Sequence, residues 1–225
     1  SAVPVGPSAG HSGGSIQRVD LATGAVTTLY THCDGRSLNS PNDLVFDRAG
    51  GFWFTDLGRS FPEHHEVGHV YYAEPDGSSI RLVRSGLHSP NGVGLSPDGR
   101  RLYVAETVTS RVWCHDVVSP GVIAKTDNIW LPGEILGPLP GYQLLDSLAV
   151  DADGNVCVAT LIRGGITIFT PDGAKATHYA VPDMATTNLC FGGKAMGEAW
   201  ITASNSGRLY RTRWPGTGLR LAYNA

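Results

Sequence analysis

Ser89-Pro90-Asn91-Gly92-Val93-Gly94-Leu95-Ser96-Pro97-Asp98-Gly99-Arg100-Arg101-Leu102-Tyr103-Val104-Ala105-Glu106-Thr107 sets the pattern of the chain. It is a polar loop ending in Asn, an apolar run, an Asp/Gly turn and an alternating apolar run. The same order recurs in residues 40–56 (SPNDLVFDRAGGFWFTD), 145–160 (LDSLAVDADGNVCVAT) and 187–193 (TNLCFGG), the last continuing into 198–204 (EAWITAS). One position in each copy carries Asn42, Asn91, Asp146 and Asn188, at intervals of 49, 55 and 42 residues. Such a period marks stacked supersecondary units.

Two further strand-like runs follow each copy: 70–73 with 80–83, 111–114 with 122–124, 166–169 with 177–180, and 208–211 with 219–221. Four short strands per repeat, with no helix-length periodicity, is the pattern of an all-β propeller. The innermost strand of every blade then begins at the same end of a central channel, so equivalent positions at its start form a ring. Ahead of the first copy, Gly14–Tyr30 reads as a hairpin equivalent to the outer half of a blade without its inner half. The chain therefore encodes about four and a half blades, whereas a propeller must close to hide its edges. Three explanations stand open: inner strands absent from this sequence, self-association or a partner chain that completes the ring, or some other accommodation of the half blade.

Residues 1–13 are Gly/Pro/Ser-rich and read as a loop or disordered lead-in, leaving 14–225 as one incomplete propeller domain. Gly6–Gly10 and Gly10–Gly14 both satisfy G-x-S-x-G. That motif needs a strand before it and a helix after it, and neither context is present, so a Gly/Ser loop is the better reading.

With 225 residues, 41% hydrophobic and 16% charged, the composition is that of an ordinary globular chain. Its 29 glycines and 14 prolines punctuate tight turns such as Pro97-Asp98-Gly99 and Pro171-Asp172-Gly173. A formal charge of −3 with no Lys/Arg block argues against a nucleic-acid or anionic-membrane partner, and no apolar run is long enough to span a bilayer. Cys33, Cys114, Cys157 and Cys190 are widely spaced, three of them in strand-like apolar runs, with no Cys-x-x-Cys pair. Buried reduced thiols fit a cytoplasmic location better than a disulfide scaffold.

Two long connections stand out. Leu57–His69 carries His64, His65 and His69 beside Glu63 and Glu66; the reading that its histidines shape the channel mouth is preferred to a metal cluster, because ligands on a loop are less firmly placed than ligands on strands. Asn128–Leu145 is Pro/Gly-rich and apolar, with Trp130, Leu131 and Tyr142 either capping the channel entrance or packing over a blade.

A single Asn or Asp after Pro is ordinarily a turn residue bonded to its own backbone. Recurrence at one phase of the repeat favours a functional reading. Asn42, Asn91 and Asp146 supply hard oxygen donors suited to Ca²⁺, Mg²⁺ or Mn²⁺. Asn188 fits less well, because Phe191-Gly192-Gly193 departs from the other copies.

The motifs SPNDLVFDRAGGFWFTD, SPNGVGLSPDGRRLYVAET and DSLAVDADGNVCVAT, in this order, resemble the SMP-30/gluconolactonase/luciferin-regenerating-enzyme family over about Gly14–Tyr223. The resemblance implies a six-bladed β-propeller with one divalent metal at the channel mouth, Ca²⁺ first and Mg²⁺, Mn²⁺ or Zn²⁺ as alternatives. It assigns Asn42, Asn91 and Asp146 as ligands and Asp146 also as the catalytic residue. Asn188, Asp43, His64, His65 and Glu106 are the substrate-pocket candidates. The family's first-blade Glu, within Glu-Gly-Pro, has no counterpart, which leaves one formal negative charge in the ligand set where the family has two, and hence weaker cation binding.

The function expected is metal-assisted hydrolysis of a lactone or similar cyclic ester, with the cation polarising the carbonyl and Asp146 positioning water or taking its proton. The alternatives are hydrolysis of phosphotriesters or aryl esters at the same metal, and a non-catalytic propeller that binds small molecules or a protein.

Overall fold

The computed structural model describes residues 13–61, 63–126, 128 and 130–223; the lead-in over residues 1–12, with the first G-x-S-x-G stretch, lies outside them. β1 (Ile16–Val19) and β2 (Val26–Tyr30) form the expected hairpin, and β3 (His32–Cys33) and β4 (Arg36–Ser37) a second, minimal pair. The first full blade is β5 (Pro41–Phe46), β6 (Phe52–Asp56), β7 (Gly68–Ala73) and β8 (Ile80–Leu87), antiparallel in that order. The second holds β9 (Pro90–Leu95), β10 (Arg101–Glu106), β11 (Arg111–Ser119), β12 (Val122–Ile123) and β13 (Glu134–Pro138). β14 (Leu144–Val150), β15 (Val156–Leu161), β16 (Gly165–Phe169) and β17 (Ala176–Ala180) make the third, and β18 (Thr186–Gly192), β19 (Glu198–Ala203) and β20 (Arg208–Arg213) the fourth. The described helical structure is one 3-10 turn, Lys194–Met196, and no helix among the described residues is long and apolar enough to cross a membrane.

Each inner strand packs beside the next, β5 on β9, β9 on β14 and β14 on β18. The blades are held by apolar side chains interleaved between consecutive sheets. Trp53, Val70, Val93, Leu102 and Trp113 fill the seam of the first and second blades; Tyr103, Val112, Leu145, Val156 and Phe169 fill the next. Cys157, Ile166, Leu189, Ile201 and Trp214 join the third to the fourth. The half blade lies on the first blade through Tyr30, Leu38, Phe52, Phe54 and Tyr71, and the Tyr30 hydroxyl donates to Glu74 O at 2.6 Å. A strand buried on both faces, as β6 and β15 are throughout, follows from this radial stacking.

The turn after each of the first three inner strands is closed by an Asp side chain accepting backbone N–H groups. Asp47 Oδ1 takes Ala49 N at 2.9 Å, Asp98 Oδ1 takes Arg100 N at 3.0 Å and Asp151 Oδ1 takes Asp153 N at 3.0 Å. Gly99 follows Asp98 at φ 72, where a side chain would be strained.

Three sequence expectations are corrected. Residues 134–138, read as part of the Pro/Gly-rich connection Asn128–Leu145, form β13, because β11 is nine residues long and β12 covers only its far end; β13 pairs with Arg111–Cys114. Trp130 and Tyr142 project into solvent at 84% and 69% exposure and neither cap the channel nor pack over a blade. Leu219–Leu221 is not the outer strand of the fourth blade. After Trp214 the chain turns at Pro215-Gly216 and runs under the channel, where Gly218 bridges Asp151. Ala152 N donates to Thr217 O at 2.8 Å, and Tyr223 meets Phe46 edge-on at 4.9 Å. Gly218 makes this path possible, since a Cβ there would lie 2.1 Å from Phe191 Cβ.

The seam of β9 and β14 likewise depends on glycine: a Cβ on Gly92 would come within 2.4 Å of Leu148 N, whereas one on Gly94 would meet the movable Leu148 Cδ1 at 2.6 Å. Gly92→Ala is expected to cost about 1–3 kcal/mol in urea unfolding, and more than Gly94→Ala. On β11, burial and then the nearby Arg84 charge push the His115 imidazole down to about 4 from an ordinary 6.5. Folding then binds fewer protons than the unfolded chain, so this contribution to stability is complete above pH 6.5 and is lost as pH falls towards 4. His115→Gln should flatten the stability–pH slope across that window, measured by urea titration at a series of pH values.

Candidate functional site

The four inner strands share a departure from regular pairing at their starts. Pro41 pairs with Asp56 and Leu44 with Phe54, so Asn42 and Asp43 are a bulge. Asn91-Gly92 lies between the Pro90–Glu106 and Val93–Val104 pairs, and Asp146-Ser147 between Leu145–Thr160 and Leu148–Val158. Bulges re-aim side chains and are common next to functional sites. Here they set Asn42, Asn91 and Asp146 at one level of the ring.

In the fourth blade the equivalent pairs are Thr186–Ala203 and Leu189–Ile201, which puts Thr187, not Asn188, at that level. Asn188 is in register with Asp43. The alignment of sequence motifs is one residue out at this blade, and Thr187 is the residue that sequence reasoning missed. Its hydroxyl is engaged by Thr202 Oγ1 at 2.8 Å and Ser204 Oγ at 2.9 Å.

Asn91 and Asp146 are brought together. The Asn91 amide lies against the Asp146 carboxylate, and its Nδ2 reaches Thr107 Oγ1 at 3.3 Å. Asn91 is buried, and its Oδ1 has no hydrogen-bond partner among the described residues. Burial pushes the Asp146 carboxyl up to about 6 against the lowering pull of Asn91 and the Ser147 N–H. Asn42 is exposed at the head of β5.

Asp43 lies one residue deeper. It accepts Leu44 N at 2.9 Å and, across the blade seam, Val93 N at 3.4 Å. The Ser147 hydroxyl and Leu148 N–H also bear on it, yet burial still raises it to about 6. Asp43 is thereby a clasp between three blades. Together with Asn188 it heads a cavity of about 400 Å³ enclosed by the inner strands and floored by Leu219 and Leu221.

Glu106, another pocket candidate, is buried, accepting His88 N at 2.5 Å and the Thr109 hydroxyl. Asp56, its counterpart in the first blade, accepts Asn39 N and Ser40 N, each at 2.7 Å. Both carboxylates hold the loop that leads into an inner strand. The matched last positions of FTD and VAE are the sequence signal that could have paired them.

Within the Leu57–His69 connection, Arg59 binds Glu66 at 2.8 Å and Ser60 bridges to His65. His65 takes Ser60 Oγ at 2.8 Å on Nδ1, has Ser89 Oγ at 3.4 Å from Nε2 and stacks at 6.2 Å on His88. Burial, then His88, holds its imidazole below the ordinary value. Ser89, two residues before Asn91, is buried with φ 57. His64 instead stacks on Phe61 at 4.3 Å and is exposed. His69 sits in β7, bonded to Arg36 at 3.0 Å, so the three histidines do not converge.

The SMP-30/Gluconolactonase/LRE-like region model matches residues 9–205. A gluconolactonase of Zymomonas mobilis is 31% identical over 216 residues, 88% of this chain and 58% of that protein. Lactonase drp35 of Staphylococcus saprophyticus is 34% identical over 141 residues, 63% of this chain and 42% of that protein. The chain thus spans less than two thirds of the length of either relative. Among solved structures, a gluconolactonase of Xanthomonas campestris superposes with a TM-score of 0.71 at 28% identity, covering 89% of this chain and 65% of that one.

The roles of neighbouring residues separate cleanly by mutation. Asp43→Ala strips an acceptor from N–H groups of two other blades and is expected to cost about 1–3 kcal/mol of unfolding free energy. The exposed Asn42→Ala should stay within about 0.5 kcal/mol, both read by urea denaturation.

Proposed function

We propose that this chain, which belongs to the SMP-30/gluconolactonase/LRE-like family, hydrolyses a lactone at the Asn91–Asp146 site. The single observation that carries this reading is the juxtaposition of the Asp146 carboxylate with the amide of Asn91, whose buried carbonyl oxygen has no donor among the described residues. A side chain with an orphaned amide oxygen that contacts a carboxylate, both delivered by bulges on neighbouring strands, fits a hard divalent cation. Asn91 and Asp146 would hold it, with Asn42 completing the set from the first blade. When bound, such a cation supplies Lewis acidity toward the lactone carbonyl and a readily ionised water.

The chain's own residues account for the remaining steps. Asp146 orients the attacking water and takes a proton from it as oxygen adds to the carbonyl carbon; the ring C–O bond then breaks and that proton passes to the departing ring oxygen, giving a hydroxy acid. Asn91, fixed by Thr107, keeps the Asp146 carboxylate from turning away. His65, beside Ser89, would exchange hydrogen bonds with hydroxyl groups of a substrate over the channel mouth.

Hydrolysis of a sugar lactone, followed by acid release in weak buffer, tests the reading. Asp146→Asn is expected to lower kcat/KM more than 100-fold with unchanged unfolding, and chelator treatment should abolish turnover until a divalent cation is restored. A full rate in either case removes Asp146 or the cation from the reaction.

A further inference from the structure

The channel mouth has two unlike sides. Toward the first blade it is polar, with Ser60, His65 and Ser89 in one hydrogen-bonded group. Toward the third blade four loops meet, and each carries an exposed apolar residue: Val108 at 45%, Tyr142 at 69%, Ile162 at 41% and Met184 at 59%. Hydrogen bonds tie these loops together. The Ser110 hydroxyl donates to Gln143 O, Arg163 N to Gln143 Oε1 at 3.1 Å and Ile162 N to Met184 O at 2.9 Å. The group borders the Asn91–Asp146 pair directly. Val108 follows Thr107, whose hydroxyl accepts from Asn91, and the β14–β15 ladder ends at Leu144–Leu161. Ile162 therefore sits beside Gln143, roughly 10 Å of extended strand from Asp146.

Two observations set these side chains apart from scattered surface residues. Ile162 has φ 72, in the left-handed region where a β-branched side chain is strained and Asn or Gly is not. Strain of this kind gathers at active sites and ligand clamps. The polar side chains of the same arc are, in addition, already engaged. Gln143 is held by Arg163 N and Thr109 by Glu106, while Asp183 accepts Ala185 N at 2.8 Å and Ser206 N at 2.7 Å. The Arg163 charge bears on His178 of the outer strand β17. Substrate hydroxyl groups would find few partners along this arc, whereas hydrocarbon would leave water against four apolar side chains.

We infer that Val108, Tyr142, Ile162 and Met184 form an apolar lip that takes the aliphatic chain of a chain-bearing lactone, which the site hydrolyses in preference to a polyhydroxylated sugar lactone. The inference rests on the lactonase reading and names its substrate class. The lactone carbonyl lies at Asp146 and the chain runs along the third blade to Ile162 and Met184, so a chain too short for that span gains nothing. The contact is the same in ground and transition states, and its benefit therefore appears in KM and not in kcat.

The test uses the full chain and a series of γ-lactones from γ-valerolactone to γ-dodecalactone, with glucono-δ-lactone alongside. kcat/KM is expected to rise at least tenfold along the series, through KM, and to exceed the value for gluconolactone at the long end. Ile162→Asn, which suits the left-handed backbone, and Met184→Gln should each cut the ratio of long-chain to short-chain kcat/KM at least fivefold. Ile162→Asn should also leave the urea midpoint level or higher. A flat series, or equal ratios in wild type and both variants, overturns the lip and leaves the lactonase reading in place; no hydrolysis of any lactone overturns both. A lower midpoint for Ile162→Asn with chain preference intact would make Ile162 a packing residue, and a sedimentation coefficient that drops in Met184→Gln would mean that a second copy covers these side chains. Either result also overturns the inference.

Discussion

The Asp43 carboxylate is the contact on which the inner ring depends. It belongs to β5, yet three of its donors come from β9 and β14, so one half-buried carboxylate fixes the mutual height of three sheets that otherwise touch through non-directional apolar packing. Hydrophobic seams resist separation but tolerate sliding by a residue pair; hydrogen bonds to named N–H groups do not. The cost of that fixation is visible in the carboxyl itself, which is pushed up to about 6 by its burial. A protein tolerates such a group where geometry matters more than local stability.

Alignment of the sheets has chemical meaning because of the bulges directly above. In a regular strand Asn42, Asn91 and Asp146 would each be committed to a ladder position with a fixed pleat. The extra residue frees the side chain from a fixed pleat, and Thr107 then holds Asn91 while the Ser147 N–H holds Asp146. The loops that lead into the first two bulges are held from behind by Asp56 and Glu106. Placement of the Asn91–Asp146 pair is thus the sum of a clasp below, a bulge at the same level and an acidic anchor behind.

Much of this was legible in the chain itself. The repeat Asn91-Gly92 … Pro97-Asp98-Gly99 gave the strand pairs, their turns and the level of the ring, because period-2 alternation and Asp/Gly turns are local signals. Three features were not local and escaped. Thr187 takes the ring position in the fourth blade because register is decided by pairing with β19, which no motif reports. Glu134–Pro138 became a strand because β11 offered an edge longer than β12 could cover. Leu219–Leu221 alternates like a strand, but Pro215-Gly216 diverts it and Gly218 lets it lie on Phe191. Glu106 was read as a pocket residue from its position alone; only coordinates reveal that backbone and a threonine have already claimed its oxygens.

The diverted segment has a mechanical result. Gly218 is anchored beneath the third blade and Tyr223 on Phe46 of the first. The five residues from one anchor to the other reach at most roughly 17 Å when fully extended. The run therefore acts as a guy-line of fixed length slung under the arc, and it caps how wide the first and third blades can splay.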